Sequence, residues 1–473
     1  MGFNEPLFLF YVLPALVVTH FALGSMKPWR TSTLLVVSIA FYSWAEPRFV
    51  PLVLCSTAAD FLLAKYLAPH RKSGVRRVLL AIGVIQNLAI LFFYKYFDFM
   101  IHNANVVFHS NFSLHYIVLP LGVSFIVFEK ISYLIDVSRG TCAPAERLRS
   151  YSLFVFLFPK LLAGPILKYH EMRDQILQPN PPSVEDLTAG FERFARGVIK
   201  KVLLADPLGT FVDQVFDTAP DAVGFGVAWL GLLCFTLQIY FDFSGYSDMA
   251  IGLARIFGFR LRENFATPYI ARSLTEFWRR WHMSLTTWIK DYLYIPLGGN
   301  NGPSWLTYRN LWICFLLSGL WHGANWTFII WGAYNGFFLT LDRIVFLRVL
   351  DRTNAYLANL ITIIIVMFGW AIFRSPTIGY FGGFLATLLT PYSTSPPMYV
   401  PTPVELTVMI GVAVCALPRW PSYQRLARAC NEIPVLAGLT TTATMALFCF
   451  AMRKGASNRG WAMSKRISCT ALN

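Results

Sequence analysis

The sequence predicts an all-α, polytopic transmembrane protein, with roughly 10–12 crossings plus re-entrant and interfacial helices around a central cavity. Three observations carry that expectation. The chain of 473 residues is 56% hydrophobic and only 14% charged, with mean hydropathy +0.51. Apolar runs near twenty residues long recur along nearly its whole length. The positive charges fall in short loops beside those runs, in alternation.

Taken in order, spans are expected near 6–25, 31–46, 49–68, 78–100, 115–137, 150–167, 222–243, 308–322, 325–341, 356–374, 377–391, 403–418 and 434–452. Several are short enough to be re-entrant. The leader Met1 to Pro6 carries no Lys or Arg, and no small-residue cleavage site follows, so the first run reads as a span. Lys27 and Arg30 follow it. Arg71, Lys72, Arg76 and Arg77 follow the third span, and Arg139, Arg147 and Arg149 the fifth. The alternate loop, 101–115, has no basic residue apart from its histidines, which places the N-terminus outside the cytoplasm. Later the rule blurs: Arg419, Arg425 and Arg428 are separated by one span from Arg453, Lys454, Lys465 and Arg466. The net charge of +15 is thus a membrane-topology signal and does not call for nucleic acid; membrane lipids are the expected surroundings. The eight cysteines are scattered, without a C-x-x-C pair, and read as small core residues.

The chain reads as a single membrane domain, 1–473, in three parts: N-terminal spans over 1–137, a core over 151–374, and C-terminal spans with a basic tail over 375–473. The core differs in character, because polar, aromatic and Gly/Pro residues interrupt its apolar runs. Irregular backbone at membrane depth is tolerated only around a protein-lined cavity.

Within the core, Asn310 to Leu341 contains no Asp, Glu, Lys or Arg, yet holds His322. As one helix those residues would span about 48 Å, against a hydrocarbon core of about 30 Å. Gly323-Ala324-Asn325 is the natural break, which puts His322 at a helix end beside freed backbone groups. A titratable group at that depth is a site hypothesis by default. The plainer alternative is a buried histidine that caps a kink.

Ser273-x-x-Glu276 is a capping box, so a helix is expected to start there and run to Pro296, Gly298 and Gly299. Trp278, Trp281, Leu285, Trp288 and Tyr292 share one face; Arg279, Thr286 and Lys290 share the other, with His282 at the border. It reads either as a structural interfacial helix or, through Arg279, Arg280 and His282, as the side of an anion site. Tyr240 to Asp248 ends an apolar span with two carboxylates, for which Arg279 or Arg280 are candidate partners. Asp242 and Asp248 are as fit for a structural ion pair as for a site. Phe158 to Ile166, with Pro159, Gly164 and Pro165, suits a re-entrant segment or a kinked helix. Lys200-Lys201 reads as a solvated charge pair.

The chain has no Walker P-loop, no Rossmann glycine motif, no H-E-x-x-H or other clear metal spacing, and no G-x-S-x-G elbow. Nucleotide hydrolysis, redox chemistry and a conventional serine hydrolase lack support, and no metal or bound cofactor is expected. A histidine without an obvious nucleophile suggests general-base catalysis, with the hydroxyl supplied by another molecule.

Six segments resemble the membrane-bound O-acyltransferase family, in its bacterial branch that acetylates exopolysaccharides such as alginate. They are PLGVSFIVFEKISYLIDVSRG (120–140), FPKLLAGPILKYHEM (158–172), FDFSGYSDMAIGLARIFGF (241–259), NFATPYIARSLTEFWRRWHMSLTTWIKDYLYIPLGGN (264–300), LSGLWHGANWTFIIWGAYNGFF (317–338) and GWAIFRS (369–375). They run in family order, and the combination is highly specific. Glu129-Lys130 stand where less charged residues are expected, and the tail 451–473 departs from the family's short aromatic ending.

The resemblance implies a catalytic histidine at His322 and a second of the pair at His282. It implies an acyl-thioester donor on the cytoplasmic side, acetyl-CoA, and a bacterial inner-membrane location. The acetyl group would cross to a polysaccharide such as alginate or cellulose, or to a periplasmic SGNH-type acetyltransferase that completes the transfer. Chemistry adds supporting roles. Asn325 or nearby backbone N–H groups, beside Trp321, suit a developing oxyanion. Arg279, Arg280 and Lys290 suit coenzyme A phosphates. D-alanyl transfer to teichoic acid from a carrier protein is the alternative enzyme reading; a polysaccharide or lipid transporter is the non-enzymatic one.

Overall fold

The computed structural model describes residues 2–22, 27–67, 73–161, 164–179, 181–350, 352–391 and 400–416, with isolated positions and 444–452 beyond. Every regular element among them is helical. Three helices are long and apolar enough to cross a membrane: Ser73–Phe108, Phe225–Ile256 and Ala355–Arg374. Shorter apolar helices include Phe8–Ala22, Thr31–Ala45, Ile378–Leu389 and Thr402–Ala416. The chain is an all-α polytopic membrane protein. The span expected near 434–452 and the basic clusters around it lie largely outside the described residues, as do Arg71 and Lys72.

The described residues pack as two compact units, one within Met1–Phe194 with Met249–Arg262, the other of Ala195–Asp248 with the described residues from Glu263 onward. In the first, Ser73–Phe108 shows why an apolar helix settles as it does. Val75, Val78, Ile82, Ile85, Leu88 and Phe92 fall on one stripe at helical spacing, and all are exposed, as a lipid-facing surface requires. Gly83, Asn87 and Leu91 form the buried stripe. A Cβ on Gly83 would sit 2.6 Å from Leu134 Cδ1, so a larger residue here requires the Leu134 side chain to shift.

Two expected spans change shape here. The one placed near 115–137 begins only at Val123, because Pro120 and the left-handed Gly122 (φ 72°) hold the preceding chain out of a helix. The one placed near 150–167 is not continuous: Leu148–Phe156 ends at Leu157, a single turn covers Phe158–Leu161, and the backbone at 164–168 is irregular until Tyr169. This segment is buried in protein, where broken backbone is tolerated.

Glu129 and Lys130 prove to be held by opposite charges. Lys130 Nζ lies 3.1 Å from Asp60, and both side chains are at most 1% exposed. Asn87 Nδ2 donates to Asp60 at 3.0 Å and also to the Gly83 carbonyl at 2.9 Å. Lys160 pairs with Glu129, whose other oxygen accepts the Leu167 N–H at 3.2 Å. Glu129 thus clamps the broken segment at both ends.

In the second unit, Ser304–His322 and Trp326–Leu341 form a tight hairpin. Its helices cross closely enough that a Cβ on Gly319 would lie 2.2 Å from the Phe328 carbonyl oxygen, and one on Gly332 2.4 Å from that of Phe315. Ala355–Arg374 packs alongside through Trp370 and Phe373.

Candidate active site

The break predicted at Gly323-Ala324-Asn325 is where the hairpin turns. The first helix ends at His322 and Gly323 takes extended backbone. Asn325 caps the next helix: its Oδ1 accepts the Thr327 N–H at 3.2 Å. Its Nδ2 donates to the Pro376 carbonyl at 3.0 Å, which ties the turn to the chain beyond Ala355–Arg374. Asn325 therefore shapes the turn that presents His322.

His322 is half-buried in an aromatic cage. Ring centroids lie 4.9 Å away at Trp321, 5.2 Å at Trp331 and 5.3 Å at Phe373, all edge-on. Trp321 also approaches His282, at 6.5 Å. Trp321, the supporting residue named from sequence, touches both imidazoles.

His282 corrects one expectation. The stretch from Ser273 is not one amphipathic helix but Leu274–Arg280, Met283–Ile289 and a wider turn at Lys290–Tyr294. The capping serine behaves as predicted, since Ser273 Oγ accepts the Glu276 N–H at 3.1 Å. The helix then breaks at Trp281 and His282, and His282 adopts a left-handed backbone (φ 44°) that a non-glycine residue enters only when its surroundings hold it there. Asn264 supplies the hold. Its carbonyl accepts the Met283 N–H at 2.9 Å. Its Oδ1 lies 3.0 Å from His282 Nδ1 and accepts from the Ser284 N–H at 3.2 Å and the Ser284 hydroxyl at 2.9 Å. Its Nδ2 donates to Ser247 Oγ at 3.1 Å.

His282 is 2% exposed, and its Nε2 is buried with no hydrogen-bond partner among the described residues. Burial chiefly, and the neighbouring His322 after it, push this imidazole well below its ordinary range, so the ring is neutral. Two histidines 40 positions apart in sequence are brought into one aromatic site, each beside Trp321.

The remaining predicted residues divide. Asp242 and Asp248 do not meet Arg279 or Arg280. Asp242 binds Lys201 at 2.7 Å, which also holds Asp206 at 2.9 Å, and Asp248 binds Lys200 at 2.7 Å. The lysines read as solvated from sequence are thus bound by carboxylates, and Lys201 is only 9% exposed. Arg280 is committed to Glu276 at 2.8 Å and to the Ala266 carbonyl at 3.0 Å. Arg279 and Lys290 are exposed and pair with no carboxylate among the described residues. No group of three or more possible metal ligands occurs among the described residues. Sequence reasoning missed Asn264, Trp331 and Phe373. Asn264 opens the fourth matching segment in a stretch with Pro268 and no helical pattern, the one available sign that its side chain works outside a helix.

Residues 146–381 match the family model for membrane-bound O-acyltransferases. Over 381 residues the chain is 42% identical to a probable alginate O-acetylase of Azotobacter vinelandii, covering 79% of this chain and 75% of the relative. The chain belongs to the membrane-bound O-acyltransferase family. A peptidoglycan O-acetyltransferase of Helicobacter pylori is 35% identical over 413 residues, with 79% and 77% covered. A teichoic acid D-alanyltransferase of Bacillus subtilis is 24% identical over 387 residues, with 77% and 96% covered. All three relatives carry acyl-transfer names, and the chain is a membrane O-acyltransferase. Both histidines lie inside the matched region.

Proposed function

We propose that this acyltransferase takes acetyl from acetyl-CoA on the cytoplasmic side of the bacterial inner membrane and passes it across for O-acetylation of an extracellular polysaccharide, alginate being the polymer its relatives' names favour. The observation that carries this reading is the pair of imidazoles in one aromatic site, both beside Trp321. A neutral histidine there serves as general base. His322 accepts the proton of an incoming hydroxyl as that oxygen attacks the thioester carbonyl. The C–S bond breaks, and the proton passes to the leaving coenzyme A sulfur, so the thiol departs and the ester remains. The hydroxyl belongs either to the polymer or to a serine of a periplasmic SGNH-type partner.

Arg279 and Lys290 are the cations left open for the donor's phosphates; Arg280 is already paired. Asn325 orders the turn, and Asp242 and Asp248 anchor the helix Phe225–Ile256 to Lys200 and Lys201.

The test is transfer by purified protein in proteoliposomes from acetyl-labelled acetyl-CoA to alginate oligomers, with the SGNH-type partner present. Label is expected on the oligomers only when the acyltransferase is present. Transfer of D-alanine from a carrier protein instead, or polymer movement without any ester formation, would overturn the reading.

A further inference from the structure

We infer that Asn264 is a positioning residue for acyl transfer: it locks His282 in the tautomer that carries its proton on Nδ1, so that Nε2 faces the reaction only as an acceptor. The inference rests on the acyltransferase reading for its purpose, and on geometry for its substance.

The Asn264 amide cannot be turned the other way. The Ser284 backbone N–H, 3.2 Å from Oδ1, can only donate, so the atom it meets must be the oxygen. Nδ2 is engaged as well, donating to Ser247 Oγ at 3.1 Å. His282 Nδ1, 3.0 Å from that oxygen, must therefore bring the hydrogen. Asn264 is 0% exposed, so water does not compete for Oδ1. In a neutral imidazole with its proton on Nδ1, Nε2 holds the lone pair.

The backbone agrees with the side chain. The Met283 N–H bonds to the Asn264 carbonyl at 2.9 Å, and the Ala266 N–H bonds to the Arg280 carbonyl at 2.9 Å. These two bonds hold His282 in its left-handed conformation between two short helices. Such strain persists only where the surroundings over-determine it, and it clusters at sites. A histidine needed only for packing would not need an oriented acceptor on one nitrogen and none on the other. His282 so held offers an acceptor toward the proton that the reaction moves, beside His322.

The direct test is ¹⁵N-histidine NMR of the purified protein in nanodiscs, with the His282 signals assigned by their loss in His282→Gln. The expected wild-type spectrum shows a protonated Nδ1 and a bare Nε2; a protonated Nε2 overturns the inference. In Asn264→Ala the ring should populate both tautomers, and acyl transfer should fall by about 10²-fold, short of the ~10⁴-fold that a wrong tautomer costs in a catalytic triad. An unchanged tautomer, or transfer at the wild-type rate, overturns the role. Should Asn264→Ala fail to fold, Asn264→Asp decides: its carboxylate still accepts from Nδ1–H, so the tautomer should persist, and a protonated Nε2 would overturn the assignment. If the tautomer behaves as expected while no variant, nor wild type, transfers acetyl, the proposed function fails and takes with it the purpose assigned to Asn264, while its hold on the His282 tautomer stands.

Discussion

The buried ion pairs of the first unit and the buried histidine of the second differ in how fully they are paired. Asp60, Glu129, Lys130 and Lys160 are sealed inside the first, and each carboxylate meets an ammonium group and an N–H donor besides. His282 in the second is equally buried, yet one of its nitrogens is fully engaged and the other has no partner among the described residues. Burying a charge is tolerable only with full compensation, so the first pattern is architecture. A neutral ring leaves a nitrogen open at far smaller expense, and that open nitrogen is what chemistry can use. Between these two places, completeness of pairing distinguishes the ion pairs from the histidine better than burial does.

Glu129→Leu would strand the Lys160 ammonium and the Leu167 N–H together, and should destabilise the protein by about 3–5 kcal/mol. Thermal unfolding in detergent and the membrane level of the variant measure it; a variant as stable as wild type would mean that Glu129 does not clamp the broken segment. Removing both partners of the other pair should matter much less. Asp60→Leu with Lys130→Met leaves no stranded charge, and Asn87 keeps its bond to the Gly83 carbonyl. That double variant is expected within about 1 kcal/mol of wild type, whereas Asp60→Leu alone should lose several. If the double variant is as damaged as the single, the pair does more than neutralise itself.

How much of this was legible in the sequence follows from the range of the interactions. The turn at Gly323 to Asn325 was readable because its signals are local: an uncharged run too long for one crossing, and a Gly and an Asn at its middle. The capping serine at Ser273 was readable for the same reason. The break at His282 was not. Residues 273–294 keep a helical pattern throughout, and what interrupts them is Asn264, 18 positions before His282 and joined to it only in the fold. The partners of Asp242 and Asp248 were misjudged likewise, since Lys200 and Lys201 lie more than 40 positions upstream, and a nearer arginine pair offered the same charge. Glu129-Lys130 stood out in an apolar run, and only the contacts with Lys160 and Asp60 explain them.

In the proposed function His322 performs the chemistry and does more than cap a kink. Cells lacking the native gene should be complemented with wild type or His322→Ala, and polymer acetylation compared at matched membrane levels. Wild type is expected to restore acetylation, while His322→Ala, present at the same level, restores none. A folded His322→Ala protein that acetylates as wild type does would contradict the account.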